Sequence, residues 1–216
     1  MNISFGKYKG QNIKDIFKKD RYYIEWLMTN KWYKERHTDY YNLSKKLIED
    51  FNKNIILNEE IVIYTDGSCL GNGRPGAISG IGVHYSYKNK YKLNDISQKI
   101  NLKETIATNN HAELCAINVA INNIIHNNHH NKKIILYTDS KYSINCINKW
   151  YAKWLENNKI TGRKNIEEIR EIYNNIHNLN MDIDIKYIRG HTKLTDDHHV
   201  GNNIADDLSR NILCEN

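Results

Sequence analysis

The sequence predicts an α/β fold, with a mixed five-stranded central sheet flanked by helices and a small, mainly helical domain in front of it. Three observations predict this. Two apolar runs, Ile61-Val62-Ile63-Tyr64 and Ile134-Ile135-Leu136-Tyr137, both stop at Thr-Asp, and continuous apolar runs are expected of strands buried on both faces. Around them, strand-like runs alternate with stretches of helical periodicity. Finally, residues 1–58 hold twelve Lys/Arg and seven Asp/Glu, so 12 − 7 = +5 of the net charge of +6 sits there.

The first segment opens on Phe5-Gly6-Lys7-Tyr8-Lys9-Gly10, a turn-rich start suited to a small hairpin. Helices are expected over Ile13–Phe17 and Tyr22–Asn30. A third is expected over Asp39–Asn52, where Tyr40, Leu43, Leu47, Ile48 and Phe51 recur at helical spacing. We place an auxiliary domain at 1–52, a linker at 53–59 and the main domain at 60–211.

In the main domain the strand from Ile61 ends at Thr65-Asp66-Gly67-Ser68. A turn with Gly71, Gly73, Gly76 and the only proline, Pro75, leads to strands at Ser79–Ser86 and near Ile96–Leu102. A helix from about Asn110 carries Leu114, Ile117, Ile121 and Ile124 on one face. After the second apolar strand come helices around 141–156 and 165–178 and a strand at Asp182–Ile188. An extended loop at Thr192–Val200 and a last helix over Gly201–Asn211 complete the order.

Composition narrows the class. Hydrophobic residues at 40% and charged residues at 26% do not point to disorder. Cys69, Cys115, Cys146 and Cys214 form no C-x-x-C pair, and no secretory or membrane-length apolar segment is present. We therefore expect a soluble intracellular protein of the cytoplasm or nucleus, with reduced thiols, no membrane partner and a monomeric state. The run His126-Asn127-Asn128-His129-His130 follows a helix and lacks cysteine, and reads as an exposed loop rather than a zinc site. A basic head on a near-neutral body suits an anionic polymer such as nucleic acid.

The chemistry resides in carboxylates. An ionised Asp at the end of a buried strand is costly without a partner. If the two apolar strands lie side by side, Asp66 and Asp139 meet at one sheet edge, where a hard cation such as Mg²⁺ relieves their repulsion. Each Asp alone also fits a turn or helix cap, and Asp139-Ser140 before a helix fits that well.

The motifs Thr65-Asp66-Gly67-Ser68, Thr108-Asn109-Asn110-His111-Ala112-Glu113-Leu114, Tyr137-Thr138-Asp139-Ser140 and Gly201-Asn202-Asn203-Ile204-Ala205-Asp206-Asp207-Leu208 resemble type 1 ribonuclease H in order and spacing. The resemblance implies a ribonuclease H-like fold and an endonuclease that cuts the RNA strand of RNA–DNA hybrids. It implies a catalytic, metal-holding quartet of Asp66, Glu113, Asp139 and Asp206, with Asp206 rather than Asp207 in the family register. Two Mg²⁺ ions about 3.5–4 Å apart, with Mn²⁺ as a substitute, would activate the attacking water and stabilise the leaving oxygen. The products would carry 5′-phosphate and 3′-hydroxyl ends.

Arg189-Gly190-His191 resembles the family's Gly-His loop and implies that His191 assists proton transfer or release of product and metal. Cys69, Asn72, Asn109 and Asn110 match positions that contact the hybrid. Trp150 and Trp154, with Asn145 one turn earlier, match a channel for DNA sugars, and Thr108 and Asn165 match a phosphate pocket. Lys159, Arg163 and Lys164 stand where the family often has a longer basic protrusion. Another nuclease on the same scaffold is the rival reading within enzymes. A catalytically idle nucleic-acid-binding module is the rival outside them, disfavoured because all four carboxylates are kept. In the head, Phe5–Gly10, Asp20–Tyr23 and Trp26-Leu27 resemble the C-terminal domain of exonuclease X-like proteins, implying an auxiliary nucleic-acid-binding role.

Overall fold

The computed structural model describes residues 1–53, 59–91, 93–100, 107–192 and 194–214. It divides the chain into two compact units, Met1–Ile56 and Leu57–Asn216. Most of the expected linker lies outside the described residues.

The first unit is helical: α1 Ile13–Lys19, α2 Arg21–Thr29, α3 Lys31–Arg36 and α4 Thr38–Lys53. Asn12 caps α1 by accepting from the Lys14 N–H, and Asp20 caps α2 by accepting from Tyr23. The other Asp20 oxygen takes the Tyr8 hydroxyl at 2.6 Å and the Lys7 ammonium at 3.0 Å, so one carboxylate ties the opening turn to α2. Ile3, Ile13, Ile16, Ile24, Leu27 and Tyr33 form the buried centre, where the Tyr33 hydroxyl meets Ser44 Oγ at 2.8 Å. The hairpin expected at Phe5–Gly10 is a bend and turn instead. The antiparallel bridge here pairs Asn2 with Asn12, and Gly6 and Gly10 take positive φ. Helix α3, six residues long, is too short for its periodicity to register in the sequence.

The second unit holds β1 Ile61–Leu70, β2 Ile78–Tyr85, β3 Ile96–Ile100, α5 Asn109–His126, β4 Ile134–Thr138, α6 Lys141–Asn145, α7 Tyr151–Glu156, α8 Ile166–Asn178, β5 Ile183–Tyr187 and α9 Asp197–Cys214. The sheet order is β3-β2-β1-β4-β5. β1 pairs antiparallel with β2 and parallel with β4, and β5 continues parallel to β4. Ile61, Ile63 and Leu136 bury one sheet face with Leu114, Ile117 and Ile121 of α5. Val62 and Tyr64 bury the other with Ala205 of α9. Alternate residues of one strand point to opposite faces, so a strand covered on both sides reads as an unbroken apolar run.

Three boundaries differ from expectation. β1 does not stop at Asp66: it runs on to Leu70 because Gly67–Leu70 still pair with β2, Gly67 opposite Ile81 and Leu70 opposite Ile78. The helical stretch 141–156 is interrupted by a π-turn at Cys146–Trp150, where the Tyr151 N–H reaches back to the Cys146 carbonyl. The extended loop at 192–200 is shorter than expected, since α9 begins at Asp197. There Asp196 accepts from the His198 and His199 N–H groups and binds His199 Nδ1 at 2.7 Å. Lys193 lies outside the described residues. The His-rich run is exposed at His126 but half-buried at His129 and His130, with the His129 ring 4.6 Å from Tyr91. No helix among the described residues is long and apolar enough to cross a membrane.

Candidate active site

The parallel register sets the first two carboxylates side by side. Tyr64 lies opposite Tyr137 and Thr65 opposite Thr138, so the next positions, Asp66 and Asp139, are neighbours where β4 ends. Glu113 arrives from α5, which crosses β1 at Gly67. A Cβ on Gly67 would stand 2.2 Å from both the Ala112 carbonyl carbon and the Glu113 nitrogen, so helix and strand approach this closely only because the residue is glycine. Each of the three carboxylates can place an oxygen within 4.8 Å of the others.

Burial raises the pKa of all three carboxylates, and repulsion within the cluster adds to it at Glu113 and Asp66. Burial pushes Glu113 well above the usual carboxylate range, and the charges of Asp66 and Asp139 push it the same way. Asp66 is raised mainly by burial and then by Asp139, against a hydrogen bond from Ser209. Asp139 is raised by burial, with His191 opposing. Glu113 Oε2 is buried and has no hydrogen-bond partner. An orphaned oxygen among three hard-oxygen ligands is the donor set that suits a divalent cation such as Mg²⁺.

Asp206 stands outside this group of three. Its carboxylate pairs with the Arg210 guanidinium one turn along α9 and lies 3.9 Å from His191 Nδ1. His191 is well exposed at 70% of its side chain, on a backbone with φ of 52°. Before it, Gly190 presses on Asp139: a Cβ there would lie 1.9 Å from Asp139 Oδ2. The loop after β5 is thus packed against the catalytic candidate that follows β4.

Two residues of this site were not singled out from the sequence. Ser209, fully buried, donates to Asp66 Oδ2, with the Asp206 carbonyl at 3.0 Å as its competing acceptor. Arg210 neutralises Asp206. Both follow Asp206 by three and four residues on a helix, so they share its face. That spacing was the available signal.

The remaining candidates fall into two groups. Asn72, Thr108, Asn109, Asn110 and Asn165 line one open cleft of about 1040 Å³, beside Arg163 and Lys164. Thr108 caps α5 by accepting from the His111 N–H, and Asn72 Oδ1 accepts from the Asn109 N–H at 3.0 Å. Asn165 Nδ2 donates to the Tyr142 hydroxyl at 3.1 Å. Cys69 sits near the end of β1 rather than in the turn, and is half-buried. Trp150 closes the π-turn and Trp154 follows one turn later in α7, with ring centroids 6.2 Å apart. Trp150 is 38% exposed and meets Tyr142 edge-on, while the Arg163 guanidinium lies 4.7 Å from the Trp154 centroid. Asn145, half-buried, closes α6. Neither the tryptophans nor Asn145 line the cleft.

A model of the RNase H family matches residues 58–213, and one described as exodeoxyribonuclease X-like C-terminal matches residues 3–31. Ribonuclease H of Orientia tsutsugamushi (strain Boryong) is 35% identical over 156 residues, covering 71% of this chain and 82% of that protein. Ribonuclease H of Schizosaccharomyces pombe is 32% identical over 194 residues, covering 82% of this chain and 67% of that protein. Among solved structures, the RNase H domain of prototype foamy virus superposes with a TM-score of 0.56 at 27% identity, covering 70% of this chain and 93% of that one. With the five-stranded sheet, the carboxylate cluster and these likenesses together, the chain belongs to the RNase H family.

Proposed function

We propose that this chain cleaves the RNA strand of RNA–DNA hybrids endonucleolytically, leaving 5′-phosphate and 3′-hydroxyl ends, with two Mg²⁺ ions held by Asp66, Glu113, Asp139 and Asp206. The observation that carries the reading is the meeting of Asp66, Glu113 and Asp139 around the unpartnered Glu113 oxygen, in a chain of this family. When bound, the ions supply charge for the attacking water and for the departing oxygen; Mn²⁺ can substitute.

The chain's own groups do the rest. Ser209 holds one Asp66 oxygen and so fixes the orientation of the carboxylate. Arg210 fixes the orientation of Asp206. His191, exposed and close to Asp206, is placed to pass a proton between the site and solvent. The cleft carrying Asn72, Thr108, Asn109, Asn110 and Asn165 offers amide and hydroxyl donors, with Arg163 and Lys164 at its wall. Such groups suit ribose hydroxyls and phosphate oxygens. Cys69, near the end of β1, contacts the hybrid on this reading, and Asn145, Trp150 and Trp154 offer a sugar-contacting surface to the DNA strand. The basic unit at 1–52, joined through 53–59 to the catalytic domain at 60–211, adds sequence-independent affinity for nucleic acid.

Incubation with Mg²⁺ and labelled RNA–DNA hybrid, duplex DNA and duplex RNA in parallel tests the reading. Cleavage is expected in hybrid RNA only, and Asp139→Asn should abolish it while hybrid binding persists. Cutting of duplex DNA would favour another nuclease activity on the scaffold. No cutting of any substrate would support the idle-module reading.

A further inference from the structure

A second cluster of metal-ligating side chains lies on the opposite flank of α5 from the sheet-edge carboxylates. His111 and Cys115 stand one turn apart on α5, and Glu168 faces them from the first turn of α8. Glu168 Oε1 is 2.8 Å from His111 Nε2, and Cys115 Sγ is 3.6 Å from the same nitrogen. One ligand atom from each of the three fits within 4.8 Å of the others.

Those distances can be compared with a metal site. Bonds of about 2.3 Å to sulfur and about 2.05 Å to nitrogen, at a tetrahedral angle, put S and N about 3.6 Å apart and N and O about 3.3 Å apart. The sulfur is already at that separation. The carboxylate would have to open by about half an ångström, which rotation of the Glu168 side chain allows. One turn further along, Asn118 and Asn122 donate to the two oxygens of Glu171 at 2.8 and 3.0 Å, and Asn175 donates to Asn122 at 2.9 Å. These bonds pin α8 to α5 and hold the three ligands in register.

His111 is buried, while Cys115 and Glu168 are half-buried, and His111 and Glu168 line the cleft that carries Asn72, Thr108 and Asn165. A nitrogen, a thiol sulfur and a carboxylate oxygen are the donors of Zn²⁺ and its soft-to-borderline relatives, not of Mg²⁺. Three protein ligands leave one tetrahedral position unfilled, and two of the three, His111 and Glu168, line the cleft.

We propose that His111, Cys115 and Glu168 form a binding site for a Zn²⁺-class ion, separate from the carboxylate cluster, with its fourth position open to the cleft. On binding, the ion displaces the proton between His111 and Glu168 and the thiol proton of Cys115, both released to solvent, and water or an anionic oxygen from the cleft completes it. The site does not depend on the nuclease reading, since none of its ligands belongs to the carboxylate quartet.

The test uses the full-length protein in excess Mg²⁺, titrated with Co²⁺ as a spectroscopic stand-in for Zn²⁺. We expect a thiolate-to-cobalt charge-transfer band that saturates at one equivalent and bleaches when Zn²⁺ is added. Cys115→Ser and His111→Ala should each lose the band, with folding checked by circular dichroism. Cys69→Ser and Asp139→Asn should keep it. At a Zn²⁺ concentration 100-fold above Kd, the folded-to-unfolded ratio should rise about 100-fold, a gain that Cys115→Ser loses. No band with folded wild-type protein, or a band that survives Cys115→Ser, would leave the cluster as an interhelical ion pair and overturn the proposal.

Discussion

Gly67→Ala probes the close approach on which the carboxylate cluster depends. The added Cβ would lie 2.2 Å from backbone atoms of Ala112 and Glu113, and ordinary contact begins at 3.4 Å, so the backbones must part by 3.4 − 2.2 = 1.2 Å. Neither side yields easily. β1 is paired with β2 at this position, Gly67 opposite Ile81, and with β4 as far as Thr65, and α5 is seated through Leu114, Ile117 and Ile121. Overpacking of this kind costs about 1–3 kcal/mol, and at about 2–4 °C per kcal/mol for a domain of this size the midpoint of unfolding should fall by roughly 2–12 °C. Because Glu113 moves with the helix, it retreats from Asp66 and Asp139, and a displacement near 1 Å can cost about 100-fold in rate. Thermal unfolding followed by circular dichroism and single-turnover hybrid cleavage at saturating Mg²⁺ measure the two effects. Gly162→Ala is the control: its φ is +78° with nothing within 4 Å, so it carries backbone strain of about 1–2 kcal/mol and no steric clash. If Gly67→Ala cleaves at the wild-type rate and melts no lower than Gly162→Ala, the close approach of α5 is not what assembles the site.

Other outcomes follow from named interactions. Ser209→Ala removes the hydroxyl that donates to buried Asp66, a hydrogen bond to a charged group that is typically worth about 1.5–3 kcal/mol. The Mg²⁺ concentration for half-maximal activity should rise at least about 10-fold, and an unaltered Mg²⁺ titration would refute the role. Deleting residues 1–55 should raise KM for long hybrids. It should also flatten the logarithmic salt dependence by about 0.7–0.9 for each phosphate that the unit neutralises; identical kinetics and salt slope would assign that unit another role.

Where the sequence was legible, one physical rule governed each element. The apolar runs at Ile61 and Ile134 announced strands because both sheet faces are covered; the repeated Thr-Asp after them joined Asp66 to Asp139 only on the condition that the strands are neighbours, and the parallel register meets that condition. Helix α5 was legible from Leu114, Ile117 and Ile121 at steps of three and four. Legibility failed where a partner rather than local pattern sets the boundary. β1 continues past Asp66 because β2 pairs with Gly67–Leu70, which no feature of the Gly-rich sequence reveals. α9 starts early because Asp196 captures two N–H groups in a stretch whose histidines and aspartates read as loop. Within the site, the carboxylates carried their own signal through motif and strand ends. Ser209, Arg210 and the His111–Cys115–Glu168 cluster did not, since their significance lies in meetings across elements or one turn along a helix.

The same carboxylates should cost the fold stability, and this can be measured without substrate. Asp66, Glu113 and Asp139 all have folded pKa values raised above their unfolded ones, chiefly by burial, so at a given pH the native state holds more protons than the unfolded chain. Their contribution is fully present below the unfolded value of about 4 and is lost as pH rises through the folded values. Metal-free protein should therefore melt lower as pH climbs from 5 to 8. His111 acts in the same direction: the Cys115 thiol and then Glu168 push it up to about 10, so its contribution also fades with rising pH. A wild-type melting curve alone cannot separate the two sources, but a difference can. Asp139→Asn removes one charge from the cluster and relieves Glu113, leaving His111 untouched. It should raise the metal-free midpoint at pH 8, by about 2–4 °C for each kcal/mol relieved. It should also flatten the pH slope relative to wild type, while Mg²⁺ stabilises wild type more than the variant. An Asp139→Asn protein that melts at or below wild type at pH 8 without metal would show that the cluster is not under the repulsion that calls for a cation.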